Sequence, residues 1–356
     1  MAPPSYPLLS GRLGLLLPPM APTAAPALSS TGGMNTAATF GSTTWVTELA
    51  RGAEDAGAAA VWASDHLFWR RPAPECLTSL AVAATATRRA VLGTCVLQLP
   101  LRSPAAVAKQ AAALHALSGG RFVLGVGSGS HATEYALAGV SFRSRGKLLD
   151  SGIASLRSAW STAEHPDAYR IEPAGPVPVW IGGSSTAALH RAGRLGDGWV
   201  PLFIGPERFA DDLASVRQIA ADAGRSPDSV VPAVVMAATV GDDTARARAE
   251  GTSWLSSLYG IPAKAFARHL VAGPAEHCAA AAAAYVDAGA AHVIVLLAHD
   301  DALGQFRALA GAYDHVVPGV RSAGRACQMA RAQGAVSHGE SSVVRAHESK
   351  RAEVGA

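Results

Sequence analysis

The stretch "VWASDHLFW", residues 61–69, sets an acid and a histidine side by side at the end of an apolar run, with aromatics directly after. Histidine titrates near neutrality, so His66 is a candidate to take or give a proton at working pH. Asp65 beside it could orient the imidazole. The same dipeptide is also compatible with a polar turn in which Asp65 bonds nearby backbone.

Two further stretches could bind a ligand. "GVGSG", 125–129, carries Gly127, Ser128 and Gly129, and His131 and Glu134 follow it. Glycines let the backbone come close to a ligand, and successive N–H groups can line an anion site. The third glycine of a dinucleotide fingerprint is missing, and no acid ends a following strand about 20 residues on. Glu134 reads either as a partner for a ligand hydroxyl or as an acid favoured by a helix start. In "WIGGSSTAALHRAGRLGDGW", 180–199, a strand ends in Gly182–Gly183 and a helix opens with Ser184, Ser185 and Thr186. Free N–H groups and hydroxyls at such a terminus suit a phosphate. Plain N-capping by Ser184 or Ser185 explains the same residues. "LGTCVLQLPLRSP", 92–104, shows no obvious reactive chemistry by itself, and Cys95 reads as a small buried apolar residue. No histidine pattern with metal-ligand spacing, no GxSxG elbow and no Walker loop occurs, so no metal site is expected.

All three stretches need strands to end where they begin. Apolar runs at 12–18, 59–66, 90–99, 121–129, 177–183, 198–204, 230–240 and 291–299 alternate with helical patterns. The runs are continuous instead of alternating, as parallel strands buried on both faces are. Eight strand–helix units predict an α/β fold, a (β/α)8 TIM barrel, with reactive groups at the strand C-termini. Two helical segments are expected over 243–288. One barrel domain is expected over 1–320, with a long loop over 18–42 and a polar tail over 321–356.

Composition narrows the functional classes. Charged residues make up 16% of the chain and the net charge of +3 forms no like-charge run, which argues against nucleic-acid or polybasic membrane binding. Cys76, Cys95, Cys278 and Cys327 lie far apart without CxxC spacing, so a reducing, cytoplasmic setting is expected. The apolar piece "LGLLLPPMAP" is short and broken by prolines, and no stretch reaches the roughly 18 apolar residues of a membrane span.

In this order and spacing, "AEDAGAAAVWASDH", "LGTCVLQLPLRSPAAVAKQAAALHALSGGRFVLGVGSG", "SRGKLLDSGIASLRSAW" and "PVWIGGSSTAALHRAGRLGDGW" resemble the bacterial luciferase-like family of flavin- and deazaflavin-dependent oxidoreductases. The likeness covers about residues 44–315, and the "SDH" version resembles the coenzyme F420-dependent branch. The resemblance implies hydride transfer between F420 and a small organic substrate, with His66 handling the proton. It implies that Asp65 contacts the ring and that Cys95–Val96 is a non-proline cis peptide behind it. It also places Gly127, Ser128 and Gly129 beside the cofactor and gives Gly182, Gly183 and Ser184 to its phosphate. Ser130 stands where the sugar-phosphate dehydrogenases of the family have a second acid, which argues against sugar-phosphate oxidation. Arg145 and Lys147 are candidates for the acidic tail of F420 or for a solvated helix face. An FMN-dependent monooxygenase and an inactive ligand-binding barrel are the alternatives. Homodimers are expected from relatives only.

Overall fold

The computed structural model describes residues 9–19, 43–70, 73–161, 171 and 175–317. Apart from Pro18 and Pro19, the expected 18–42 loop lies outside the described residues, as does the tail.

Ten strand segments form: β1 (Arg12–Leu17), β2 (Ala60–Ala63), β3 (Val91–Thr94), β4 (Leu97–Gln98), β5 (Phe122–Gly127), β6 (Val179–Gly182), β7 (Gly198–Val200), β8 (Val231–Val240), β9 (Leu270–Gly273) and β10 (His292–Leu297). Every pairing is parallel, and the sheet closes because β10 pairs with both β8 and β1. β3 and β4 are one barrel strand broken at Cys95–Val96, so the barrel has the eight strands expected of a (β/α)8 fold. β9 corrects the expectation of two helices alone over 243–288. It adds to the outer end of β8, where Ala237 to Val240 pair with Leu270 to Gly273. Four residues between two alanine-rich helices carry too little pattern to be told from helix.

The helices are α1 (Thr43–Asp55), α2 (Cys76–Ala86), α3 (Pro104–Leu117), α4 (Ala132–Leu137), α5 (Arg145–Ala159), α6 (Thr186–Leu195), α7 (Pro206–Asp222), α8 (Thr244–Tyr259), α9 (Ala275–Asp287) and α10 (Ala302–Val316). Successive strand residues point to opposite faces, which divides the core into two layers. Leu15, Leu17, Val293 and Val295 join the layer between strands and helices, while Leu16, Ile294 and Leu296 fill the barrel. No described helix is long and apolar enough to cross a membrane.

Large rings plug the barrel interior beneath the strand C-termini. Trp62 lies 5.2 Å from Trp180 and 5.8 Å from His292, centroid to centroid. Glycines opposite make the room: a Cβ at Gly93 would stand 2.1 Å from Trp62, and one at Gly198 2.6 Å from Trp180. His292 is fully buried; its Nδ1 donates to the Arg12 carbonyl at 2.7 Å, and its Nε2 accepts from Trp62 Nε1 at 3.0 Å. Both ring nitrogens are satisfied only by the neutral imidazole. Burial drives the His292 pKa down from 6.5 to about 4, against the favourable bond to Arg12. The unfolded chain therefore binds a proton that the folded chain refuses. The stability held above pH 6.5 is lost as pH falls toward 4, by about 3 kcal/mol in all. Denaturant unfolding at pH 7, 5.5 and 4 is expected to show this slope, and His292→Gln to flatten it in that window.

Candidate active site

Above the ring plug, at the C-terminal ends of the strands, lies a cavity of about 430 Å³. That is within the ~300–1,000 Å³ range of small-ligand and cofactor pockets. Leu16, Val200, Leu202, Val235, Leu258 and Leu296 make its walls apolar. His66, Asp65, Cys95, Val96, Gly129, Gly182 and Gly183 all line this one cavity, although they come from separate strand ends. Gly127, Ser128, Glu134 and Ser184 stand back from its wall.

His66 follows β2 and reaches the cavity partly exposed, with its ring stacked on Trp69 at 3.6 Å between centroids. Its Nδ1 meets Glu134 Oε2 at 3.0 Å. A carboxylate only accepts, so Nδ1 carries the hydrogen and Nε2 is the atom left for a ligand. Glu134 does sit in the first turn of a helix, α4, but at 2% exposure it is turned inward. Besides His66 it accepts from the Phe68 N–H at 3.1 Å and from Gln98 Nε2 at 3.2 Å. Burial works against its charge, yet the bonds from His66, Phe68 and Gln98 outweigh it and hold the carboxyl below the usual carboxylate range. Glu134 thus sits in a helix first turn, as one of its two readings has it, and is bonded to the Nδ1 side of His66.

Asp65 lines the cavity but its carboxylate is committed elsewhere. Oδ1 accepts from Arg102 Nη2 at 2.5 Å, and Oδ2 accepts from the Gln98 N–H at 2.9 Å. Arg102 also reaches Glu75 Oε1 at 3.5 Å. Ligand atoms of Asp65, Glu75 and Cys76 lie within 4.8 Å of one another, but the Arg102 guanidinium already neutralises both acids there. Burial first, and then the charges of Asp65 and Glu75, push the Cys76 thiol well up.

The Cys95–Val96 peptide is cis. Val96 fits between strands because its neighbours lack side chains: a Cβ at Gly127 would lie 2.6 Å from it, and one at Gly182 2.8 Å. Gly127 therefore shapes the wall through Val96. Gly183 has φ +109°, a backbone angle for glycine, and its carbonyl accepts from Trp199 Nε1 at 2.8 Å. Ser185 is the N-cap of α6, accepting from the Ala188 N–H at 3.3 Å, while the Ser184 carbonyl accepts from Arg208 at 3.1 Å. Arg145, read as a candidate for an acidic tail or for a solvated helix face, packs over the Phe142 ring at 4.0 Å and donates to the Phe142 carbonyl at 3.0 Å.

A family model described as luciferase-like monooxygenase matches residues 22–260. The chain belongs to this luciferase-like family. It is 32% identical over 201 residues to a phthiodiolone/phenolphthiodiolone dimycocerosates ketoreductase of Mycobacterium tuberculosis, covering 51% of this chain and 52% of that one. The match thus spans about half the length of the curated relative. Two solved structures share the fold. An F420-dependent secondary alcohol dehydrogenase in complex with an F420-acetone adduct has a TM-score of 0.70 at 17% identity, over 88% of this chain and 99% of that one. The oxygenating constituent of a Pseudomonas putida type II Baeyer–Villiger monooxygenase, in complex with FMN, has a TM-score of 0.65 at 18% identity, over 87% and 99%. For this luciferase-like chain, oxidoreductase or monooxygenase chemistry is the family's chemistry.

Three residues of the luciferase-like site were not singled out by their types. Gln98 interrupts the apolar run "CVLQLPL", and that lone polar residue in a strand was the available signal. Trp69 lies within the quoted aromatic stretch, but nothing in its spacing shows a ring stacked on His66. Arg102 finds Asp65 across 37 residues of sequence, a pairing that only the barrel creates.

Proposed function

We infer that this luciferase-like chain is an F420-dependent oxidoreductase that interconverts a secondary or primary alcohol and the matching carbonyl compound. The observation that carries this reading is the His66–Glu134 pair on the wall of the cavity that also contains the Cys95–Val96 step. The residues fit a flat, neutral ring. The walls are apolar, Asp65 is already neutralised, and Gln98, a residue of the cavity wall, has a buried Oε1 without a hydrogen-bond partner. Val96 and Cys95 would back the ring, Gly129 would stand at its edge, and Gly182–Gly183 would face its phosphate side.

The bound deazaflavin supplies the centre that accepts or returns a hydride. The protein supplies the rest. In the oxidative direction His66 Nε2 takes the hydroxyl proton as the C–H bond delivers its electron pair, so that one hydride and one proton leave the alcohol together. In the reductive direction His66 returns that proton to the new alkoxide oxygen. Glu134 keeps Nδ1 protonated, so the correct nitrogen faces the substrate. The apolar wall excludes water from the transfer. The ketoreductase name of the mycobacterial relative and the alcohol dehydrogenase fold neighbour support this direction of chemistry.

The FMN-dependent monooxygenase is the second reading, favoured by the FMN-bound fold neighbour. Fluorescence titration separates the two: saturable quenching with F420 and no retention of FMN through gel filtration is the expected result. Retention of FMN with no F420 binding overturns the proposal.

A further inference from the structure

Three buried tyrosines spend their hydroxyls on the fold. Tyr135 donates to the Ser128 carbonyl, Tyr285 to the Ile204 carbonyl at 2.6 Å and Tyr313 to the Gly11 carbonyl at 2.9 Å. Tyr259 differs. It lines the cavity, and among the described residues no group is bonded to its hydroxyl. Its ring is nevertheless fixed. Trp69 meets it edge-on at 6.0 Å between centroids, Phe203 meets it at 6.0 Å, and Phe266 lies tilted at 5.6 Å. Helix α8 stops at Tyr259 because Gly260, at φ +65°, caps it, the Gly260 N–H donating to the Ser256 carbonyl at 2.8 Å. A Cβ at position 260 would run into the Arg70 guanidinium, so glycine lets this helix end close on the loop that follows His66. Burial, and then the neighbouring Cys95, push the phenol up to about 12, so the hydroxyl keeps its proton through the neutral range.

We propose that Tyr259 is a catalytic residue whose hydroxyl donates a hydrogen bond to the reacting oxygen of the substrate. The inference deepens the function proposed above and rests on it. An alcohol oxygen has one hydrogen to give and two lone pairs to satisfy. His66 Nε2 takes the hydrogen. In an apolar cavity the lone pairs ask for a donor, and Tyr259 supplies one. In the reductive direction negative charge builds on the carbonyl oxygen as the hydride arrives, until His66 delivers the proton. A fixed donor there lowers the barrier. Tyr259 keeps its own proton in both directions, so the count of one hydride and one proton is unchanged. The two groups flank one indole: Trp69 stacks on His66 at 3.6 Å and turns its edge to Tyr259. The site therefore selects ketones and alcohols whose apolar substituents lie on Leu202 and Leu258. A carbon–carbon double bond offers the phenol no oxygen to bond.

The test titrates cyclohexanone and methylenecyclohexane, alike in shape but only the first with an acceptor, into the F420-loaded protein by calorimetry. Wild type is expected to bind the ketone about 2- to 12-fold more tightly, the worth of one neutral hydrogen bond. Tyr259→Phe keeps the ring and is expected to bind both alike, with F420 affinity unchanged and kcat on alcohols lowered about 10²- to 10³-fold. Tyr259→Leu serves if the phenylalanine variant does not fold. Equal binding of the two probes by wild type, binding of neither, discrimination that survives in the Tyr259 variants, or an unchanged kcat each overturns the inference. Failure of the wild type to bind F420 removes the proposed function, and the inference with it. F420 binding without discrimination between the probes removes only the inference.

Discussion

His66→Ala retains F420 binding and loses turnover by about 10²- to 10⁴-fold, the usual contribution of a positioned acid–base group. The expectation follows from geometry. Imidazole Nδ1 is tied to Glu134 at 3.0 Å, so Nε2 is the ring nitrogen available on the cavity side. Among the described residues, the neighbouring acids are committed elsewhere. Glu134 stands back from the wall, and the Asp65 carboxylate is held by Arg102 and the Gln98 N–H. His131 is near, its ring 5.8 Å from that of His66 and edge-on to Trp69 at 4.8 Å. Burial, and then the neighbouring His66, lower its pKa, which leaves it a poorer proton acceptor. Steady-state kinetics with excess F420 and a set of alcohols checks the prediction. Unchanged kcat removes His66 from the mechanism, whereas lost F420 binding reassigns it to the cofactor.

The fold was readable because its signal is repeated. Eight apolar runs each ended in turn chemistry, and a parallel barrel buries both faces of each run. The strand ends were readable for the same reason, and His66, Cys95, Val96 and Gly183 do meet around one cavity. Partnerships were not readable. Asp65 and His66 are adjacent in sequence, yet each bonds a different distant residue: Asp65 takes Arg102 and His66 takes Glu134. Gly127 was read as a loop glycine beside a ligand, but its lack of a side chain serves Val96. Phe203 was invisible for another reason. It adopts φ +60°, uncommon for a bulky residue, and its ring is held by Phe266 at 5.8 Å and His269 at 5.5 Å. No local sequence rule marks an aromatic for that conformation.

Arg102→Met is expected to destabilise the protein by about 3–5 kcal/mol, the effect of removing one member of a buried ion pair. Asp65 is 1% exposed in its side chain and Arg102 15%, so solvent does little to replace the lost partner. Two bonds hold the pair, from Nη2 to Oδ1 at 2.5 Å and from Nε to Oδ2 at 3.3 Å. This fork matches guanidinium geometry, and Arg102→Lys should recover only part of the loss. The instability comes from the stranded carboxylate more than from the missing attraction. Asp65→Asn combined with Arg102→Met should therefore be more stable than Arg102→Met alone, and a double-mutant cycle from urea unfolding measures the coupling. Additive single effects would show that the two side chains do not act as a pair. The same bond bears on catalysis, because Asp65 precedes His66 in the chain and holds the Gln98 N–H on the far side. Loosening it moves the backbone that presents the imidazole. Arg102→Lys, if folded, should then lower kcat while leaving F420 affinity near that of the wild type, since no atom of Arg102 lines the cavity.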